Sequence, residues 1–299
     1  NFFKGLMRLL NNDRSPAFRV IVSMRFEYLS LSAAAATDAS DLVRLIQSDY
    51  DDDVPVHFLL LDQMGNTAVE AYLLDRLPDG EEMFSEIRRQ PRVLDMLRRP
   101  LLLRIFCDVA PHTDLRGMVA KLAHSRNPVP LLELFVAEAA ADEDLARAQD
   151  AMASVTWDID QLAVRSLYLY RHGRAELTVG DIRACLRPID AQISQAGIAN
   201  LSPAEVLKGV HKCPFLRQHS VAVKSEADRA ARFAHRIFFE YFTAKGMARE
   251  IQFPSPSTPI GKRAFDELVL NVDMRKFLRG LLDDDVWYAQ TKLSYALDD

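Results

Sequence analysis

Residues 232–244, Arg232-Phe233-Ala234-His235-Arg236-Ile237-Phe238-Phe239-Glu240-Tyr241-Phe242-Thr243-Ala244, restrict the possible folds more than any other stretch of this chain. Aromatic residues stand at 238, 239, 241 and 242, with Glu240 among them. On a helix each residue turns by about 100°, so these four side chains point in different directions and share no single face. A helix built from them is expected to be buried on more than one side, between layers of structure. His235 stands at the mouth of that helix, between Arg232 and Arg236, and a polar group there needs a partner.

The rest of the composition narrows the class. A length of 299 residues allows two or three small domains. Hydrophobic residues make up 49% and charged residues 26%, an ordinary soluble globular balance. There are 11 glycines, roughly half the usual ~7%, which leaves little material for turns and Gly-rich loops. The expected fold class is therefore mainly α with small β elements. A net charge of −5 gives no general attraction to nucleic acid or to an anionic membrane. Cys107, Cys185 and Cys213 are scattered and odd in number, with neither a disulfide framework nor zinc spacing. A reducing, cytoplasmic setting is expected. No apolar run approaches the ~20 residues that span a bilayer, and no signal peptide opens the chain at Asn1.

Along the chain, Phe18-Arg19-Val20-Ile21-Val22-Ser23-Met24-Arg25 reads as a buried strand that ends in an arginine. Ligands gather at the carboxyl ends of strands in α/β sheets, and a guanidinium there suits a phosphate. A strand-end arginine facing solvent or a carboxylate explains the same residues without a ligand. Phe58-Leu59-Leu60-Leu61-Asp62-Gln63 mimics a magnesium-holding Walker B strand. Gln63 stands where a second acid is usual, and no G-x-x-x-x-G-K-[ST] occurs in the chain, so it reads instead as a run leading into a helix from Val69 through Leu77. In Arg98-Arg99-Pro100-Leu101-Leu102-Leu103, Pro100 is preorganised for the first helical turn, where its missing N–H is no loss.

Further on, Pro128-Val129-Pro130 marks a boundary before a helix over 131–140. A long helix is expected from about Asp142 through Tyr170, with a break near Ser154-Val155-Thr156. Leu177-Thr178-Val179-Gly180-Asp181 predicts a short strand or turn and then an N-capped helix. Ser202-Pro203-Ala204-Glu205 is a capping box with proline at its first helical position. Phe215-Leu216-Arg217 and Ser220-Val221-Ala222-Val223, followed after a polar loop by Ala231-Arg232-Phe233-Ala234, predict a β-hairpin with a charged tip. Helices followed by a hairpin match a winged helix, a pattern common in DNA binding. The helix after the hairpin is too aromatic for a groove, and no basic recognition stripe appears. Pro254-Ser255-Pro256-Ser257-Thr258-Pro259 is a stiff linker, and two amphipathic helices are expected beyond it, over 262–272 and 274–282.

The run 233–244 resembles the F-x-H-x-x-F-x-E-Y-F-x-A signature that closes the winged-helix domain of NACHT-type STAND nucleotide switches. Ser23-Met24-Arg25 looks like that family's sensor-1 triplet T-S-R, and Arg99-Pro100-Leu101-Leu102-Leu103 is similar to its N-P-L-x-L helix start. The resemblance implies the C-terminal end of an α/β P-loop NTPase domain over 1–50, a helical domain over 51–125, a winged-helix domain over 126–253 and the start of a further helical or sensor region over 254–299. It implies nucleotide-binding roles for Arg25 (γ-phosphate), Pro100 (adenine) and His235 (β-phosphate of ADP). The implied cofactor is ATP or ADP with Mg²⁺, held by Walker motifs expected upstream of Asn1; no catalytic residue or metal ligand is expected within this chain, and ATPase activity only with that P-loop.

Function then follows as an expectation: an ADP-off, ATP-on signalling switch that oligomerises with itself, takes a protein or ligand trigger through a C-terminal sensor, and touches neither membrane nor nucleic acid. Bacterial relatives commonly serve as defence or regulatory sensors. Because a helix N-terminus attracts anions and disfavours a protonated histidine, a neutral His235 donating one N–H to a phosphate is expected. A nucleotide-free helical and winged-helix scaffold for protein contacts is the alternative.

Overall fold

Short proline-led or acid-capped segments build the first part of the described structure. The computed structural model describes residues 63–141, 155–189, 195–218, 225, 227–253 and 270–282. All of them belong to the unit that begins at Gln63. Helices dominate and the strands are short, as the scarcity of glycine and the helical spacing predict. No described helix is long and apolar enough to cross a membrane.

The first helices are α1 (Asn66–Arg76), α2 (Gly80–Arg88), α3 (Pro91–Leu97), α4 (Pro100–Asp108), α5 (Leu115–Ser125) and α6 (Val129–Ala141), with a 3-10 turn over Ala110–His112 between α4 and α5. Pro91 and Pro100 each occupy the first turn of their helix, where the missing N–H costs nothing. Asp114 caps α5 by accepting from the Arg116 N–H. Arg126 ends α5 in the left-handed conformation, φ 57°. Val69, Leu73, Ile87, Leu97, Leu103, Phe106 and Leu122 are buried and hold these helices together.

After residues 142–154, which lie outside the described residues, the chain continues as β1 (Val155–Trp157), α7 (Ile159–Arg171), β2 (Glu176–Thr178), α8 (Val179–Ala184), β3 (Leu186–Pro188), α9 (Gln195–Ala199), α10 (Pro203–Lys212), β4 (Leu216–Gln218), β5 (Arg229–Phe233), α11 (Arg236–Gln252) and α12 (Val272–Leu281). The expected long helix through Tyr170 needs correction. Val155, Thr156 and Trp157 form a strand, antiparallel to β3 with Trp157 opposite Leu186. β-Branched and aromatic residues suit that pairing, and Asp158 starts α7 afresh by accepting from the Gln161 N–H. Both expected caps form: Thr178 with Asp181 on α8, and Ser202 with Glu205 on α10, each a reciprocal capping box.

The hairpin strands join β2 in a three-stranded antiparallel sheet ordered β2–β5–β4. Leu216 lies opposite Phe233 and Glu176 opposite Arg232. Central position in the sheet leaves β5 paired on both edges, so it delivers its last residues rigidly into α11. The expected helix over 274–282 appears as α12, starting two residues earlier with Asn271 as its cap. The expected helix over 262–272 falls largely outside the described residues, and Leu270 and Asn271 within it are not helical.

α11 is surrounded. It packs chiefly on α7 and α12, with β5 at its start. Its rings spread as the spacing requires: Phe238 stacks on Phe135 of α6 at 5.9 Å, Phe239 meets Phe233 at 5.3 Å, Tyr241 meets Phe277 of α12 at 6.4 Å, and Phe242 meets Phe215 at 5.2 Å. Such ring pairs contribute roughly 0.5–1.5 kcal/mol each beyond area burial. On the α7 side the helix backbones nearly touch. A Cβ at Gly246 would lie 2.4 Å from the Ala163 carbonyl oxygen, which α7 cannot withdraw without moving as a body. In an open helix Gly→Ala stabilises by roughly 1 kcal/mol, but overpacking costs roughly 1–3, and here the obstacle is backbone. Gly246→Ala is therefore expected to destabilise the protein by about 1–2 kcal/mol, read as a lowered midpoint in chemical denaturation.

Candidate functional site

His235 joins β5 to α11. Ala234 is held to the hairpin by its N–H bond to the Phe215 carbonyl, 2.9 Å. His235 itself is extended, φ −145° and ψ 148°, and serves as the N-cap of α11. Its Nδ1 accepts from the Ile237 N–H at 3.2 Å. That bond needs a lone pair on Nδ1, so in the neutral ring the hydrogen resides on Nε2. The residue as a whole is exposed and stands beside a helix N-terminus.

One turn on, the charge inside the aromatic run is satisfied. Glu240 is buried, 5% exposed, and its Oε1 accepts two bonds of 2.6 Å, one from Arg236 Nε and one from Asn271 Nδ2. Asn271 in turn caps α12 by accepting from the Met274 N–H at 2.8 Å. The mouth of α11 is thus tied to the start of α12 through a single carboxylate. Tyr170 of α7 packs by Phe239, and its phenol is pushed up by partial burial and next by the Glu240 charge, against Arg236. Tyr241 is fully buried, and its hydroxyl has no hydrogen-bond partner among the described residues. Burial raises its phenol well above the ordinary value, so it stays neutral and acts as packing.

The other sequence-predicted residues are less tied to this junction. Pro100 occupies the first turn of α4, exposed, behind Arg99. A hollow of about 340 Å³ opens beside it, lined by Arg99 and by neither Pro100 nor His235. Arg25 lies outside the described residues, as does Phe58–Asp62. The cysteines are buried and unpaired; burial pushes the Cys107 thiol up to about 11 and Cys185 to about 12, so both are neutral packing groups. No cluster suited to a metal ion occurs among the described residues. Glu240 was visible in the sequence only as an acid among aromatics; its partner Asn271 is 31 positions away, and no local pattern announces that bond.

No family model, no curated protein and no solved structure matches this chain.

Substitutions at two positions separate capping from charge. His235→Ala removes one N-cap and is expected to destabilise by about 1 kcal/mol, with His235→Ser recovering most of it. Glu240→Ala leaves Arg236 and Asn271 without their acceptor and is expected to cost about 3 kcal/mol. Urea denaturation of the three variants checks the order.

Proposed function

We propose that this chain supplies the sensor, helical and winged-helix parts of a nucleotide-regulated switch of the NACHT-type STAND class, closed by ADP and released by ATP. The observation that carries the proposal is the junction of β5 with α11. His235 stands between a central strand and a helix N-terminus, an exposed residue with Nδ1 engaged as a cap. An imidazole so oriented can donate Nε2–H to a phosphate, and the helix dipole favours the same anion. The order of α7, β2, α8, α10 and the β4–β5 hairpin, with β5 central in its sheet, supports a winged helix over this part of the domain assigned to 126–253.

A switch of this kind needs Walker motifs, which do not occur between residues 1 and 299, and ATP or ADP with Mg²⁺ bound by them. Arg25 would read the γ-phosphate and Pro100 would face the adenine. ADP must bind the closed form more tightly than the open one, and the bias toward closure equals that difference in affinity. Opening at His235 would loosen the winged helix, and self-association in the cytoplasm would follow in response to a protein or ligand trigger; defence or regulatory sensing fits such a device. One observation favours the second reading, a nucleotide-free interaction scaffold: the cap on α11 and the Arg236–Glu240 pair already give His235 and Arg236 structural work.

Calorimetry with ADP on the complete gene product decides between the two. The switch predicts binding, weakened in His235→Ala by about 1.5–3 kcal/mol, the worth of a bond to a charged group, and not rescued by His235→Ser although the cap is. Arg25→Ala should spare ADP and weaken ATP. Absence of ADP binding, or its full rescue by serine, assigns His235 to capping alone.

A further inference from the structure

The hollow beside α4 is walled by four separate parts of the chain: Gln63, the α3 to α4 segment, the α5 to α6 turn, and α12. Its volume of about 340 Å³ lies at the lower end of small-molecule sites, roughly 300–1,000 Å³. Four cations line it, Arg92, Arg99, Arg126 and Lys276, against two acids, Asp95 and Asp273. Asp95 is already engaged by Arg98 at 3.1 Å. None of the four cations forms an ion pair or side-chain hydrogen bond among the described residues. Cations that outnumber the acids around them raise the local positive potential, which a concave low-dielectric wall focuses further.

The walls are fixed. Asn127 is buried; its Nδ2 donates to the Ser125 carbonyl and its Oδ1 accepts from the Val129 N–H, both at 2.9 Å. α12 lies so close that a Cβ at Gly280 would come 2.5 Å from the Asn127 side chain. Arg126 occupies a left-handed helix end, φ 57°, a position that glycine or asparagine fills with less strain. A cation therefore stands where the backbone prefers another residue. The apolar lining residues Leu102 and Phe277 are 1% and 2% exposed, so no ring face is open to stack on a base.

We infer that this hollow binds a compact polyanion bearing two or more phosphate groups, recognised by Arg92, Arg99, Arg126 and Lys276 through charge and guanidinium hydrogen bonds, at a site separate from His235. Guanidinium forks suit phosphate oxygens bidentately. A ligand there would bridge α3–α4 to α12, tightening the contact between the helices before the sheet and the helix after it.

The test is calorimetry on the 299-residue chain with sodium pyrophosphate, sodium tripolyphosphate and ADP. Saturable binding of tripolyphosphate is expected, weakened at least tenfold in the Arg126→Gly, Lys276→Ala double variant. That variant should melt no lower than wild type without ligand, because glycine suits φ 57° and Lys276 is exposed. His235→Ala should leave tripolyphosphate binding unchanged, so failure here and failure of the nucleotide switch are read separately. ADP should bind no tighter than pyrophosphate. No saturable binding, binding indifferent to the double variant, or a preference for ADP over pyrophosphate above tenfold overturns the inference.

Discussion

Enclosure of α11 on nearly every side is the constraint on which the rest of this structure depends. Ile237, Phe238, Tyr241, Phe242, Ala244 and Met247 are all buried, and they face α6, α7, α12 and the hairpin in turn. A helix that is apolar around its circumference is stable only as the centre of a core. The elements around it therefore have little freedom: α7 must present Ala163 to Gly246, α12 must bring Phe277 to Tyr241, and the hairpin must offer Phe215 and Phe233. A change in any one neighbour is felt through the same helix, because close-packed interiors transmit displacement rather than absorb it.

The N-terminal mouth of this helix is where polar groups gather beside its buried rings. There the chain has His235 as cap, Arg236 half out in solvent, and Glu240 buried beneath them with Asn271 on its other flank. The chain of bonds runs from the end of β5, through the first turn of α11, to the cap of α12. Anything that pulls on His235 acts on a strand that is central in its sheet and on a helix that touches most of the core. This mechanical position, more than the imidazole alone, is what the proposed switch would draw on. A contact made or lost there has a rigid lever attached.

What was legible beforehand was local. The capping box at Ser202–Glu205, the N-capped helix after Leu177, the proline at the start of α4, the hairpin and the many-sided burial of residues 238–242 are each written within a few neighbouring positions, where helix and strand periods and capping chemistry act directly. What escaped was non-local. Val155–Trp157 looked like a gap in a helix because its partner strand at Leu186–Pro188 lies some thirty residues on. Gly246 gave no sign of its role, since only the crossing with α7 requires it. The Glu240–Asn271 bond and the meeting of Arg92, Arg99, Arg126 and Lys276 each depend on α12 docking where it does, which no spacing within α12 encodes. Of the three residues assigned to nucleotide, His235 gained a defined geometry, Pro100 a confirmed place at a helix start, and Arg25 lies outside the described residues.

Amide hydrogen exchange of α11, followed residue by residue under native conditions, tests the central role of this helix most directly. If α11 holds the surrounding elements together, the amides from Tyr241 to Met247 should be among the slowest in the protein and should exchange only through global unfolding, with the same denaturant dependence as the whole unit from Gln63 onward. If those amides exchange through a smaller opening while α4 and α5 remain protected, α11 is one packed helix among several, and the junction at His235 has no lever to move.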